Sequence, residues 1–395
     1  MAALAESLSK NRKQLVPLVY IAAALLLLLW LVPLVGDQRP YRLVQSTITG
    51  LLVGGIYALI ALGIVIINKA SGVFNFAHGW MMLLGGLLFY SFFSTSNVNP
   101  IAAVGLSLIM GVLVFSTNGW RDLRSARTLA QIVAVTVVGA VLLLLPGTDW
   151  QWVRALTGAV IGGVLVGMVV ERFNIRPLIG QPLFAMVLMT LAISELLHGI
   201  TQMIWGSVEI PLQVFQGLPN LGIPAQIRFG EDLFERAINI RGDLLVAFIL
   251  ALAAFALFVA FFQFTSVGLS MRATAENQKL AQSVGLRVRT ILAIAWAIAA
   301  LLATVAGVLQ GGATSLSLNM PLLALRAFPA VLLGGLESVG GALVGGLLIG
   351  LVQELANLLF PGTQAGTELA PYLVLMVVLV IRPDGLFGQK RIERI

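Results

Sequence analysis

The 395-residue chain has no cysteine and only two histidines. Without cysteine it can form no disulfide bond, no thiolate metal site and no cysteine nucleophile. The two histidines, His78 and His198, are accompanied by neither a carboxylate pair nor a His-x-x-x-His spacing. The sequence therefore argues against a zinc enzyme and against acid–base catalysis.

Charged residues are also scarce: 10% of the chain is charged, 59% is hydrophobic, and the mean hydropathy is +0.98. This composition predicts an integral membrane protein. The apolar runs are continuous and of helix length, so they predict an all-α polytopic helical bundle rather than an outer-membrane barrel. The net charge of +7 does not indicate nucleic-acid binding, because the basic residues are scattered among loops.

The apolar runs predict about twelve membrane spans. The first is too long for a signal-peptide core and lacks a small-x-small cleavage site, so we expect it to be retained. Most of the 24 lysines and arginines face inward if the N- and C-termini are cytoplasmic, which favours that orientation. The run interrupted by Pro329 is treated as a crossing, because a re-entrant segment would move the basic C-terminus outside. The predicted spans are 16–35, 43–67, 74–93, 100–116, 128–146, 153–171, 182–205, 244–264, 290–312, 322–336, 339–360 and 369–382.

A polar, basic stretch, residues 268–285, separates two of these spans. It predicts a single cytoplasmic helix over 268–287, with Gly285 at the position of a left-handed helix stop. Such a surface helix suits docking into a groove on a soluble partner, although every polytopic protein needs polar, basic cytoplasmic loops. Its small and apolar residues are predicted to share one helical face: Ala273, Leu280, Ala281 and Val284.

Two further features mark places where spans begin or break. Glycines cluster in residues 50–63 and 334–350, where they predict close helix packing, and the second cluster also fits a break around Glu337. Asn75 and His78 stand at the start of another apolar run. A helix that begins there at membrane depth offers N–H groups to a substrate carboxylate; alternatively, Asn75 only caps the helix.

Glu195 lies near the middle of the predicted seventh span, and His198 follows on nearly the same helical face. An ionised carboxylate is costly at this depth, so it must be protonated, paired with His198 or exposed to a water-filled cavity. The sequence leaves two interpretations open. Glu195 either makes a polar contact between helices or lines a transport pathway.

Several motifs resemble those of the permease subunits of branched-chain amino acid ABC importers. Residues 272–277, Arg-Ala-Thr-Ala-Glu-Asn, followed by Gly285 resemble the coupling loop that contacts an ATPase subunit. Residues 57–63 followed by Asn75-Phe-Ala-His-Gly79 resemble the signature of one of the two permease subunits. Further similarity lies in Glu171-Arg172 with Arg176-Pro177, in 327–350 and in the closing motif 382–388.

The resemblance implies a type II ABC importer in a bacterial inner membrane. Such a transporter has two permease subunits, two cytoplasmic ABC ATPases that bind ATP and Mg, and an extracytoplasmic solute-binding protein. This chain has no P-loop, so we expect a transport subunit without its own cofactor rather than an enzyme. We expect the second permease subunit to be a different polypeptide rather than another copy.

The resemblance also suggests roles for individual residues. The expected solute is a branched-chain or other amino acid. Urea or a short amide is the alternative, because related permeases carry such solutes and Trp80 stands where relatives usually carry an acidic residue. A secondary transporter or channel is the alternative from a different class. The expected ATPase-docking residues are Arg272, Ala273, Glu276, Asn277 and Gly285. The expected substrate-pathway residues are Tyr57, Asn75, Phe76, His78 and Gly79, and the depth of Glu195 adds that residue to them.

The expected architecture is a ten-span importer core with one added transmembrane hairpin. The core would begin with the N-terminal segment and first span, and its C-terminal spans would end in a short cytoplasmic tail. The expected segments are 1–42, 43–93, the hairpin 94–152, 153–264 with a long outer loop at 206–243, the coupling loop 265–289, and 290–395.

Overall fold

The computed structural model describes Gly36 and residues 39–388, except 208, 216–223, 235 and 364. Within these residues the chain is a bundle of α-helices with one short β-hairpin. The predicted first span, 16–35, lies outside the described residues. The helices are α1 Pro40–Ser71, α2 His78–Ser94, α3 Pro100–Phe115, α4 Ala126–Leu143, α5 Gln151–Val169, α6 Leu183–Trp205, α7 Gly242–Phe264, α8 Ser266–Glu276, α9 Gln278–Ser283, α10 Val288–Ala313, α11 Pro321–Gly334, α12 Val339–Leu359 and α13 Ala370–Ile381. The antiparallel strands are β1 Gln226–Phe229 and β2 Ile238–Arg241.

Every other predicted span has a helix in the structure. Seven helices in the described part of the chain are long and apolar enough to cross a membrane, and α3, α11 and α13 are shorter apolar helices. The predicted all-α polytopic bundle is therefore confirmed. Pro40, Pro100 and Pro321 each begin a helix, where the N–H group that proline lacks has no intrahelical partner.

α1 is the central helix of the bundle. Its 32 residues give a length of about 48 Å. Residues 59–62 are fully buried, and the helix packs against α7, α10, α11 and α12. The position of α1 therefore determines where the surrounding helices lie.

Four glycines form the contact between α1 and α12, which we call the glycine seam: Gly50, Gly54, Gly346 and Gly350. A Cβ atom built at Gly50 or at Gly54 would lie 2.8 Å from a Cα atom of α12. In lipid, apolar side chains gain little by association, so close backbone packing of this kind is a main source of helix–helix affinity. The close helix packing predicted for these glycines is confirmed.

α11 begins inside the bundle rather than at its end. α10 ends at the far end of the bundle, opposite the loop 265–289, where the Arg241 guanidinium donates to the carbonyl of Ala313. Pro321, at the start of α11, lies instead against the start of α2, since a Cβ atom at Gly79 would be 2.9 Å from the Pro321 Cα atom. The chain must therefore descend into the bundle over residues 314–320.

α11 completes this descent toward the coupling-loop end, the end that carries residues 265–289. The ammonium of Lys69, near the end of α1, donates to the carbonyl of Glu337 at 3.0 Å. The 14 residues of α11 span about 21 Å, too short for an apolar layer of about 30 Å. Residues 314–320 and α11 therefore share the crossing that was predicted for 322–336 alone. The predicted break around Glu337 is confirmed, because α11 ends at Gly334 and α12 begins at Val339.

Part of the predicted outer loop folds back into the far end of the bundle. Ile210 and Leu316 pair as an isolated antiparallel bridge, with N–H···O distances of 2.9 and 2.8 Å. Leu212 and Phe215 are buried, and both contact the glycines at the end of α10. The far end is thus closed by residues 209–215 packed on the descending segment.

α3 and α4 pack together on α5, at the periphery of the bundle. One buried arginine of α5 holds this hairpin at the far end. Nη1 of Arg154 donates to the carbonyls of Leu145 and Gly147 at 2.7 and 2.5 Å, and Nη2 donates to the carbonyl of Thr95 at 2.8 Å. These bonds satisfy three carbonyls near helix ends and offset the cost of burying the charge.

We expect Gly346→Val to destabilise the fold, because the added methyl groups would meet the backbone of Ala58 on α1. Overpacking of this kind costs about 1–3 kcal/mol or more. The thermal unfolding midpoint of the purified protein should fall. Gly340→Ala on the same helix is the control, since nothing lies within 4 Å of a Cβ atom there. Equal midpoints for the two variants would contradict the importance of the seam.

Candidate functional site

The coupling loop, residues 265–289, forms two helices rather than one. α8 ends just before Asn277, which is extended with φ −157° and ψ 106°, and α9 follows it. Oδ1 of Asn277 accepts the N–H of Leu280 at 3.0 Å and caps α9. The predicted single helix over 268–287 is therefore wrong. The reason is that an Asn side chain that caps a new helix competes with continuation of the previous one.

Gly285 stops α9 as predicted: it follows the end of the helix in the left-handed conformation, with a φ of +89°. The N–H of Gly285 donates to the carbonyl of Gln282, and the N–H of Leu286 donates to the carbonyl of Ala281, both at 3.0 Å. These are the two hydrogen bonds of a Schellman motif. The predicted left-handed helix stop is confirmed.

The two faces of the coupling loop differ in exposure. The break at Asn277 changes the direction of α9 relative to α8, so Ala281 is buried while its neighbour Leu280 is exposed. The prediction that Ala281 shares a face with Ala273, Leu280 and Val284 is therefore wrong. The inward face consists of Gly268, Met271, Thr274 and Ala281, and the outward face of Leu269, Ala273, Glu276, Asn277, Leu280, Val284 and Gly285.

Arg272 fastens the coupling loop to α7. Its Nη1 donates to the carbonyl of Phe262 and its Nη2 to that of Gln263, the latter at 3.4 Å. Its guanidinium also lies 5.4 Å from the centre of the Phe262 ring. A cation at the C-terminal end of a helix is favoured by the helix dipole. Arg272 is thus half-buried and positions the loop, whereas the other predicted docking residues point outward.

Asn75 is a buried residue in the turn ahead of α2. Its Oδ1 accepts the N–H of Ala77 at 3.1 Å, and its Nδ2 lies 3.4 Å from the sulfur of Met81. The side chain is fully buried. The N-cap of α2 is Ala77, so Asn75 stabilises the turn before the helix rather than the helix end itself, and its polar atoms are engaged within the chain.

The other signature residues also lie inside the subunit. The Tyr57 hydroxyl donates to Oε1 of Gln353 at 2.7 Å and so links α1 to α12. His78 is buried against Gly63, and in the described residues neither ring nitrogen has a hydrogen-bond partner. Gly79 makes the close approach to α11 described above. These residues hold α1, α2, α11 and α12 together.

The loop between α1 and α2 connects α6 with α11. The N–H of Phe76 donates to Oγ1 of Thr190 on α6 at 3.4 Å, and this hydroxyl lies 3.2 Å from the carbonyl of Phe74. Phe328 of α11 stacks on the rings of Phe74 and Phe76, with centroid distances of 4.2 and 5.3 Å. The half-buried Phe76 therefore lies between α6 and α11.

Glu195 lies on the exposed side of α6, with its side chain 78% exposed. Nδ1 of His198 is 3.5 Å from Oε2 of Glu195, and the imidazole stacks on the indole of Trp80 with centroids 4.3 Å apart. Within the described residues no hydrogen bond or ion pair joins Glu195 to another helix, so the interpretation as an interhelical contact lacks support. The contact of Trp80 with His198 was not predicted, because α2 and α6 are far apart in the sequence.

The motif that follows α5, Glu171-Arg172 with Arg176, attaches the hairpin of α3 and α4 at the coupling-loop end of the bundle. Arg176 donates to both carboxylate oxygens of Glu171, at 2.9 and 2.7 Å, and to the carbonyl of Thr117 at 2.7 Å. Arg172 donates to the hydroxyl of Ser116 at 2.7 Å. Bidentate pairing fixes the Arg176 guanidinium strongly, so it can hold the loop that follows α3.

The closing motif, residues 382–388, provides hydrogen-bond donors for the last carbonyl groups of α11. The N–H groups of Leu386 and Phe387 donate to the carbonyls of Leu333 and Gly334 at 2.8 and 3.2 Å. These are carbonyls that lack an intrahelical partner. The motif therefore acts as the C-terminal cap of a helix that lies far from it in sequence.

A family model described as "Branched-chain amino acid transport system / permease component" matches residues 128–381. The chain is 26% identical over 358 residues to the high-affinity branched-chain amino acid transport system permease protein BraD of Pseudomonas aeruginosa, covering 90% of this chain and 99% of that protein. It is 24% identical over 365 residues to LivH of Escherichia coli, covering 91% and 100%. It is also 29% identical over 245 residues to a probable LivH of Methanocaldococcus jannaschii, covering 59% and 74%. No solved structure matches the chain.

The helical bundle and these similarities define the chain as a multi-pass membrane protein of the transport-permease class. More particularly, the chain belongs to the family of permease components of branched-chain amino acid transport systems, and it is a permease subunit of an importer. The family match begins at residue 128 and so includes the second helix of the hairpin that was assigned outside the core. The boundaries of that hairpin as an addition stay a prediction.

We expect Asn75→Ala to lower stability by at least about 1 kcal/mol, because it leaves the buried N–H of Ala77 without its acceptor. Asn99→Ala removes a bond of the same kind at an exposed position, which Asn99 accepts from the N–H of Ile101 at 2.9 Å, and should lower stability less. The measurement is the thermal unfolding midpoint of each purified variant. Asn75→Asp, which keeps the acceptor oxygen, should recover part of the loss. A smaller effect at Asn75 than at Asn99 would be incompatible with a structural role for the Asn75 side chain.

Proposed function

We propose that this chain forms part of the solute pathway in an ATP-driven importer of branched-chain amino acids. Family membership supports the permease role, and the names of the relatives support the solute class. In this proposal a second, different permease subunit, two ABC ATPases that carry ATP and Mg, and an extracytoplasmic solute-binding protein complete the transporter. The chain would lie in the bacterial cytoplasmic membrane with both termini on the cytoplasmic side.

The observation that carries the ATPase-docking proposal is the apolar exposure of the coupling loop. Leu280 and Val284 are 62% and 71% exposed on the outward face, next to Ala273 and Gly285. Large apolar side chains that are exposed together beside charged residues mark a contact surface for another protein. We assign this face to an ATPase subunit, because it lies at one end of a bundle whose walls face lipid.

The proposed solute pathway runs along the exposed side of α6 and the loop ahead of α2. Glu195 is exposed there and Phe76 is half-buried, so these two lie at its surface. Tyr57, Asn75 and His78 support its wall from inside the subunit. An amino acid is preferred to urea or a short amide, because the relatives are named as branched-chain amino acid permeases.

Purified transporter in lipid vesicles provides the test of this function. L-leucine, L-isoleucine and L-valine should enter the vesicles only when ATP and the solute-binding protein are supplied on their respective sides. Urea is the comparison solute and should not enter. Uptake of urea without uptake of any of the three amino acids would replace the proposed solute class.

Ala273→Trp should abolish uptake while the chain still inserts into the membrane, because a docking surface tolerates little added volume. Uptake of labelled L-leucine by cells that express the whole transporter is the measurement, with membrane abundance followed by immunoblot. Ala102→Trp, at an exposed position on the peripheral α3, should leave uptake unchanged. Wild-type uptake by the Ala273 variant at wild-type abundance would refute the docking surface.

A further inference from the structure

The exposed face of α6 carries a carboxylate whose function the fold does not explain. Glu195 lies near the middle of this 23-residue helix, so an apolar layer of about 30 Å leaves its side chain far from either surface. The side chain is 78% exposed. A carboxylate is too costly to face lipid at such depth and must face water, a ligand or another protein.

The surroundings of Glu195 orient its carboxylate. Trp80 and His198 stack with an interplanar angle of 23°, which fixes the plane of the imidazole. Nδ1 of His198 lies 3.5 Å from Oε2 of Glu195, so the imidazole borders one side of the carboxylate. Among the ion pairs of the described residues, no lysine or arginine reaches Glu195. The carboxylate therefore retains acceptor capacity toward the exposed face of α6.

The cluster also lies beside the other pathway elements. Trp80 belongs to the first turn of α2, directly after Gly79, which contacts the start of α11. Thr190, on the same helix as Glu195, binds the loop on which Phe328 of α11 stacks. The carboxylate thus lies on the exposed face of α6, beside the contact of this helix with α2 and on the same helix that binds the loop ahead of α2.

We infer that Glu195, oriented by His198 and Trp80, binds the ammonium group of the amino acid during its passage through the subunit. A carboxylate accepts charge-assisted hydrogen bonds from an ammonium group, which are roughly twice as strong as bonds between neutral groups. His198 and Trp80 are positioning residues, since they act through Glu195. The inference rests on the proposed function and adds the residue that selects an ammonium-bearing solute.

The first test compares Glu195→Gln with Gln202→Ala in the complete transporter. Gln202 is exposed on the same face of α6, two turns further on, so it serves as the matched control. Glu195→Gln should lower the rate of L-leucine uptake at subsaturating leucine by about 10- to 100-fold, which is the effect of losing one charged hydrogen bond to the solute. ATP hydrolysis stimulated by the leucine-loaded binding protein should continue. Glu195→Asp should recover part of the uptake, and Gln202→Ala should transport at the wild-type rate.

Wild-type uptake by Glu195→Gln would overturn the inference. So would failure of this variant to assemble with the second permease subunit, since that result assigns Glu195 to a subunit contact. An equal loss of uptake in Gln202→Ala would also overturn it, because the loss would then come from any change on the exposed face of α6 and not from the carboxylate. Absence of amino acid uptake by the unaltered transporter is a different result, because it removes the proposed function itself.

The second test does not depend on transport and uses the absence of cysteine from the chain. Gly199→Cys places one thiol a turn beyond Glu195, at a position with open space around the new side chain. Leu196→Cys is the control, because Leu196 is 59% exposed but points about 100° away from Glu195 around the helix. A cationic, membrane-impermeant thiosulfonate should modify the thiol of the Gly199→Cys variant and leave that of the Leu196→Cys variant unmodified.

Leucine-loaded binding protein should slow the modification of the Gly199→Cys variant in the assembled transporter. This protection should vanish when Glu195→Gln is added to the same chain. Protection that persists without the carboxylate would overturn the inference, as would a thiol at position 199 that the reagent cannot reach. Both outcomes are independent of protein abundance, because the labelled fraction is measured.

Discussion

The close contact between the backbones of α1 and α12 is the interaction on which the rest of the bundle depends. The four glycines of the seam let the two backbones approach closely, so packing rather than the hydrophobic effect holds the two helices together in lipid. Tyr57 with Gln353 and Lys69 with Glu337 reinforce the same pair of elements. Because α1 also packs against α11, the seam helps to set the position of α11, whose Phe328 stacks on the loop at Phe74 and Phe76.

The arrangement of spans was predictable because lipid offers no hydrogen bonds to the backbone. Each long apolar run must therefore pair its own N–H and C=O groups, and it does so as a helix. The stop at Gly285 was predictable from the left-handed conformation that glycine accepts. Three features required the structure. The break at Asn277 depends on one cap competing with a continuing helix, the depth of Pro321 depends on its contact with Gly79, and the stacking of Trp80 joins residues distant in sequence. Periodicity carries no information about such contacts.

Most residues of the motifs that suggested the family are engaged within the chain. Asn75 stabilises the turn before α2, Arg176 holds a loop, and the closing motif binds the end of α11. Within the part of the chain that the structure describes, two surfaces stand out as open to other molecules: the outward face of the coupling loop and the exposed side of α6. The motifs thus preserve a scaffold, and the proposed functions lie on surfaces that this scaffold presents at its end and along one wall.

The attachment of residues 382–388 to α11 restricts how the subunit can change shape. The N–H groups of Leu386 and Phe387 serve the carbonyls of Leu333 and Gly334, and the tight turn at Gly335 joins α11 to α12. A shift of α11 alone would leave these carbonyls unpaired inside the protein, at a cost of about 1–3 kcal/mol for each. α11, the start of α12 and the closing segment should therefore move as one rigid body. A displacement of α11 is then transmitted directly to the end of the bundle where Lys69 and the coupling loop lie.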